Sequence, residues 1–303
     1  MNFLLEHRGE LAALTAASIW AVSATLYGQI GKQVAPLTLN LTKGLLAIGY
    51  LIITMLLTGE QLVIAPAQWG PLFISGLIGI AWGDTFFFLA LNSIGARLTL
   101  LINILSPVIT ALMASLYLGE NLVAVNYLGI FLAVVGVAGV ILDRTQETKL
   151  PENYWQGVLW AVLSSLANSI ASICSRQAML AGDLSPSVTT LVRLLAGTVG
   201  ILLLIMCLRW GQSESSKSLV SSGRSLDRKM WLRLALVAFF STYLGISLQQ
   251  TALKYTAAGI AQTVGSTSPL FVLVYDWWKG AKISWRSILW AMLAIGGMSL
   301  LFR

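Results

Sequence analysis

Ten runs of about 20 mostly apolar residues follow one another along this chain, separated by short polar breaks. They lie at about 10–31, 36–58, 68–92, 97–118, 124–142, 155–177, 186–208, 231–253, 258–278 and 284–302. A helix needs roughly 20 apolar residues to cross the hydrocarbon of a bilayer. Only 10% of the residues are charged and 57% are hydrophobic, whereas a soluble domain is about a quarter charged. The runs lack strict alternation and are too long for barrel strands, the other solution to crossing lipid. The sequence therefore predicts an all-α integral membrane protein with ten transmembrane helices. The run after "MNFLLEHRGE" is as long as the others and reads as a helix, not a cleaved leader. No stretch between runs exceeds about 25 residues, which leaves no room for a separate soluble domain.

The second half repeats the first. Pro107 and Pro269 are 162 residues apart, as are Gly83 and Gly245, and Ala90, Leu91 and Ala96 match Ala252, Leu253 and Ala258 at that offset. Gly119 and Gly280 are 161 apart, and so are "LAVVG" and "LAIGG". Earlier in the chain Pro36 matches Pro186 and Lys43 matches Arg193, both at 150. The offset grows because a Ser-rich basic loop at about 210–229, expected to be flexible, separates the seventh and eighth runs. Five spans copied once force the second copy to enter from the opposite face. The expected architecture is two inverted five-helix repeats, 1–147 and 148–303, around a central cavity.

Two features point into that cavity. Pro107 lies about ten residues into the fourth run and Pro269 about eleven into the ninth. Each removes a backbone hydrogen bond, and in lipid the freed carbonyl needs another donor. Asn103, Ser106, Ser266, Thr267 and Ser268 stand beside the prolines. The prolines read either as kinks lining a moving cavity or as static packing bends. Deep ionisable groups are the second feature, because burying charge in lipid is costly. Lys43 and Asp84 lie at matching depth, and Arg193 is the repeat counterpart of Lys43. Three roles remain open: Asp84 as a proton or cation site, Lys43–Asp84 as a structural pair, or Lys43 and Arg193 as joint ligands for an anionic group. In "WGDTFFF", Trp82 and Phe86 are expected to line the cavity, while Phe87 and Phe88 face lipid or packing partners. Tyr243 is the expected counterpart in the second half. Asn40, Asn168, Gln249 and Gln250 complete the polar candidates. Trp69, Trp155, Trp210, Trp231, Trp277, Trp278 and Trp285, at helix ends, read as an interfacial belt. Small-residue runs such as "GVAG" and "AVLSSLANSIAS" permit close helix approach.

The Ala-Leu-x4-Ala pattern, the Ser-Pro pairs and "LYLGE" resemble the EamA-type transporters of the drug/metabolite transporter superfamily. Trp20 and Gly119–Glu120 also fit, and the likeness spans both halves; Gly280–Ala281–Lys282 departs from the usual Gly-Glu. The resemblance implies a ten-helix basket and alternating access driven by proton exchange or a solute gradient. Amino acids, amines, drugs, sugar nucleotides and phosphorylated metabolites all fall within its substrate range.

Other functions find little support. No Walker-type Gly-Lys-Ser/Thr loop is present. The single histidine precedes the first run, so no catalytic cluster or metal-binding set is expected, and no bound cofactor. No charged filter of the kind channels use is evident. The net charge of +7 is spread over helix ends and loops, which fits lipid headgroups better than nucleic acid. A small-molecule solute and the bilayer are the expected partners; monomer and homodimer stay open. Loops after the odd-numbered runs carry thirteen Lys and Arg, the other face four. That count places both termini outside a cell membrane, whereas the resemblance implies both inside.

Overall fold

The computed structural model describes residues 7–118, 123–145, 152–210, 219–220, 227–256, 258–269, 271–272, 278 and 284–300. All regular structure among them is helical. The elements are α1 (Arg8–Ile30), α2 (Pro36–Thr58), α3 (Pro66–Gly76), π1 (Leu77–Gly83), α4 (Asp84–Ile102), α5 (Leu105–Leu118), α6 (Ala124–Thr145), α7 (Tyr154–Leu180) and α8 (Pro186–Trp210). After the basic loop come α9 (Arg228–Val237), π2 (Ala238–Gly245), α10 (Ile246–Tyr255), α11 (Ala258–Gly265) and α12 (Trp285–Leu300). Among the described residues, six stretches are long and apolar enough to cross a membrane: 8–30, 36–58, 66–102, 154–180, 186–209 and 228–255. Shorter apolar helices at Leu105–Tyr117, Ala124–Gly139 and Ile288–Gly297 accompany them.

Helix ends follow local chemistry. Pro36, Pro66 and Pro186 each occupy a first helical position, where the missing N–H costs nothing and φ is already set. Gly59 ends α2 in the left-handed conformation, φ 68°, with its N–H on the Met55 carbonyl. Asp227 caps α9 by accepting the Met230 N–H at 2.7 Å. Trp69, Trp155, Trp231, Trp278 and Trp285 are exposed, as interfacial anchors should be; Trp277 and the Trp210 side chain lie outside the described residues, as do Gly119–Glu120 and Gly280–Ala281–Lys282. Of the basic loop, Leu219 and Val220 are described, and both pack against a core cluster that includes residues of α2 and α8.

The third and fourth expected spans are joined inside α4 by a bend at Gly95, with φ 76° and ψ 168°. That backbone region is essentially restricted to glycine. A Cβ on Gly95 would meet nothing within 4 Å, so the requirement is conformational and not steric. Gly95→Ala is expected to cost about 1–3 kcal/mol in a detergent unfolding assay. Gly49→Ala, also without steric neighbours but inside helix α2, should be neutral or stabilising.

The prolines do not kink continuous helices, which is what the sequence suggests. The fourth span breaks at Asn103–Ile104, and Pro107 sits third in the helix that follows. The ninth breaks at Ser266–Thr267, and helix resumes at Ser268, next to Pro269. A first-turn proline has no intrahelical bond to lose; the carbonyls at the break are what need partners. In the first half α7 supplies them. Ser169 Oγ donates to the Ser106 carbonyl at 2.9 Å, and Ser165 Oγ lies 3.4 Å from the Ile102 carbonyl and 2.8 Å from the Asn103 side-chain oxygen. In the second half Thr267 and Ser268 turn back onto the Val264 and Gly265 carbonyls at 2.7 and 2.9 Å.

Packing is paired across the halves. α1 packs on π2, α10 and α11, while α7 packs on π1, α4 and α5. α2 packs on π2 and α8 on π1; α2 meets α8, and α6 meets α12. Exchanging the halves maps this set onto itself. The α6–α12 approach is very close, since a Cβ on Gly136 would fall 2.7 Å from Ala294 Cα. Small residues are what allow such contact.

Candidate functional site

The two π segments frame the site. A π turn shifts the backbone ladder by one residue, and each segment offers a carbonyl to a side chain from another span. Asn40 Nδ2 donates to the Ile80 carbonyl at 2.8 Å in π1. Trp20 Nε1 donates to the Ser241 carbonyl at 3.1 Å in π2. Trp20 can lie there because position 245 is glycine: a Cβ would stand 2.7 Å from the indole nitrogen.

Between these segments the bundle surrounds a partly open cavity of about 170 Å³. Of the expected candidates, Trp20, Lys43, Asp84, Asn103, Asn168, Arg193, Gln249, Ser266 and Pro269 line it. The Lys43 ammonium donates to the Asp84 carboxylate and lies 5.2 Å from the centre of the Phe88 ring. Tyr27 packs edge-on against Phe88 at 5.2 Å and shares a hydrogen bond of 3.2 Å with Thr242. Arg193 is only 5% exposed, and its Nε and Nη1 have no partner among the described residues. Its place is fixed by glycine as well: α8 lies so close to α3 that a Cβ on Gly76 would fall 2.8 Å from Arg193 Cα.

Six candidates lie elsewhere. Asn40 is fully buried, but it is committed to Ile80 and to the Thr85 hydroxyl at 3.0 Å. Trp82 is 42% exposed and packs on Phe86, which stacks on Trp160 at 5.3 Å. These two aromatics face outward, and Phe87 and Phe88 face the cavity, the reverse of the sequence expectation. Residues three and four positions from Asp84 share its helix face, whereas Trp82 and Phe86 are two positions away on the far side. Tyr243 shares a hydroxyl hydrogen bond with Thr54 at 2.9 Å and packs its ring on Tyr50 and Phe239. Gln250 is fully buried beside Gln249 but points about 100° away from it. Pro107 is buried outside the cavity. Ser106 and Ser268, the serines of the two Ser-Pro pairs, do line it. So do Tyr27, Ser241, Thr242 and Gln262, which carry no motif or charge that would mark them in the sequence.

One end of the bundle is tied by polar contacts. Lys254 bridges Asp183 at 2.7 Å, Arg8 lies 3.4 Å over the Tyr255 ring, and Arg176 donates to the Leu253 carbonyl. The bond from Lys254 holds the Asp183 carboxyl below the usual carboxylate range. A lowered folded-state value means the bridge holds above the ordinary carboxylate range and opens only as pH falls below it.

Long apolar helices around a partly open pocket of mixed polar and apolar lining define a multi-pass integral membrane protein. The chain belongs to the EamA-like transporter family, whose model matches residues 7–142 and again residues 155–303. It is 24% identical over 225 residues to the "Uncharacterized transporter YyaM" of Bacillus subtilis (strain 168), covering 74% of this chain and 70% of that protein. It also superposes on a crystal structure with a TM-score of 0.71 at 18% identity, covering 98% of both chains. That second likeness concerns the fold alone.

Proposed function

We propose that the protein is a secondary active transporter that moves a small organic solute across the cell membrane by alternating access. Its ten helices form two inverted five-helix repeats, residues 1–147 and 148–303, with the cavity between them as the solute site. The observation that carries this reading is that both halves contribute broken helices and π segments to one partly open cavity of mixed polar and apolar lining. Packing that survives exchange of the halves supports a two-fold relation, and discontinuous helices at the meeting of repeats are a known design for carriers. The contacts of Lys254, Arg8 and Arg176 tie α1, α7 and α10 together at one end, and in this reading opening at that end parts them. No bound cofactor enters the scheme; energy comes from a proton or from solute exchange. The lipid bilayer is the other partner, nucleic acid has no role, and no reaction is catalysed.

Purified protein in liposomes tests this. Saturable uptake of labelled solute against preloaded solute is expected. Conductance that rises without saturation would instead make the protein a channel.

A further inference from the structure

Resting on the reading as a carrier, we infer that the cavity binds its solute through one carboxylate held by Arg193, and that this solute is a simple organic anion and not a zwitterion or a cation. Arg193 is the starting point. An unpaired buried charge costs several kcal/mol, and a guanidinium does not escape that cost by deprotonating. Yet Arg193 is 5% exposed and its Nε and Nη1 lack partners among the described residues. A planar fork of N–H donors matches a carboxylate in two parallel bonds.

Charge then sets the class. The charged side chains among the described lining residues are Lys43, Asp84 and Arg193. Lys43 is hydrogen-bonded to Asp84, whose charge Arg193 also feels, and the three sum to one positive charge. One carboxylate balances it, and a doubly charged phosphate overshoots. A zwitterion would need an acceptor for its ammonium, and the acid available is already taken by Lys43. The roles weighed for Lys43 and Arg193 therefore separate: Lys43 is a structural partner and Arg193 the anion ligand. α5 adds to the field, because its first turn opens on the cavity at Ser106, and a helix N-terminus favours negative charge.

Size and wall chemistry define the remainder. The cavity of about 170 Å³ is close to the engineered cavity of about 150 Å³ that accepts benzene. Phe87, Phe88 and Leu100 form an apolar wall. A benzoate-sized anion fills these requirements.

Equilibrium binding to the purified full chain in chloride-free buffer tests the inference, with benzoate and isobutyrate as carboxylate probes, benzamide as the neutral isostere, and phenylalanine and benzylamine as zwitterion and cation. At least one carboxylate is expected to bind saturably and at least tenfold more tightly than the other three. That comparison uses wild-type protein and needs no variant. In Arg193→Gln the carboxylate affinity should fall at least tenfold, and Arg193→Lys should keep part of it. The inference is overturned if neither carboxylate binds, if benzamide, phenylalanine or benzylamine binds as tightly, or if a folded Arg193→Gln protein binds unchanged. Liposome counterflow with the same anion separates the two readings. Arg193-dependent binding without counterflow sinks the carrier and keeps the anion site; counterflow that ignores Arg193 does the opposite.

Discussion

Asp84→Asn is expected to destabilise the protein by about 3 kcal/mol, and Lys43→Met alone by less, because Arg193 still offsets the Asp84 charge, while the double variant recovers part of the loss. Removing one member of a buried ion pair leaves the other charge uncompensated, which costs about 3–5 kcal/mol. The Asp84 side chain is 23% exposed and that of Lys43 5%, so the effect belongs at the lower end. Asp84→Asn has a second consequence: it leaves Lys43 and Arg193 as two like charges around one small cavity. Unfolding of the three variants in detergent against denaturant provides the cycle. Additive losses, with the double variant the least stable, would show that the pair is not coupled and that water already screens it.

The second large effect is at Gly76. Adding a methyl there places a Cβ 2.8 Å from Arg193 Cα and 2.9 Å from Ala196 Cβ, closer than packed carbons approach. α8 must move away from α3, and Arg193 moves with it. Overpacking of this kind costs about 1–3 kcal/mol, so Gly76→Ala should lose about 2 kcal/mol and also weaken carboxylate binding. Gly49 lies inside α2 with nothing within 4 Å of its Cβ position. Gly49→Ala is the control, expected to keep stability and affinity because alanine is the better helix former by about 1 kcal/mol.

Much of the architecture is legible in the sequence because lipid imposes a simple length rule. The expected second span, 36–58, coincides with α2, and the prolines at 36 and 186 mark helix starts as their chemistry requires. The breaks at Asn103–Ile104 and Ser266–Thr267 are not legible as breaks, because hydropathy measures burial in lipid and says nothing of hydrogen bonding. Pro107 and Pro269 are plain to see, but they mark the first turn of a new helix and not a kink in an old one. Ser165 and Ser169 read as small residues; their use as donors to the broken backbone follows only once α7 is known to lie against α5. The π segments leave no mark on an apolar stretch. In the site, depth alone finds Lys43, Asp84 and Arg193. The aromatics mislead because Trp82 and Phe86 form a stripe of their own, and the face has to be counted from Asp84.

The central claim is that the halves sit head to foot. Ala67 and Lys229 are equivalent positions, 162 residues apart and both exposed at the start of matching helices. Single cysteines at each, with Cys174 and Cys207 replaced, can be probed in intact cells with a thiol reagent that does not cross the membrane. Reaction at one position and protection at the other, reversed in inside-out vesicles, is the predicted result, with Lys229 on the cytoplasmic face if the basic residues set orientation. Reaction of both positions from the same side would contradict it.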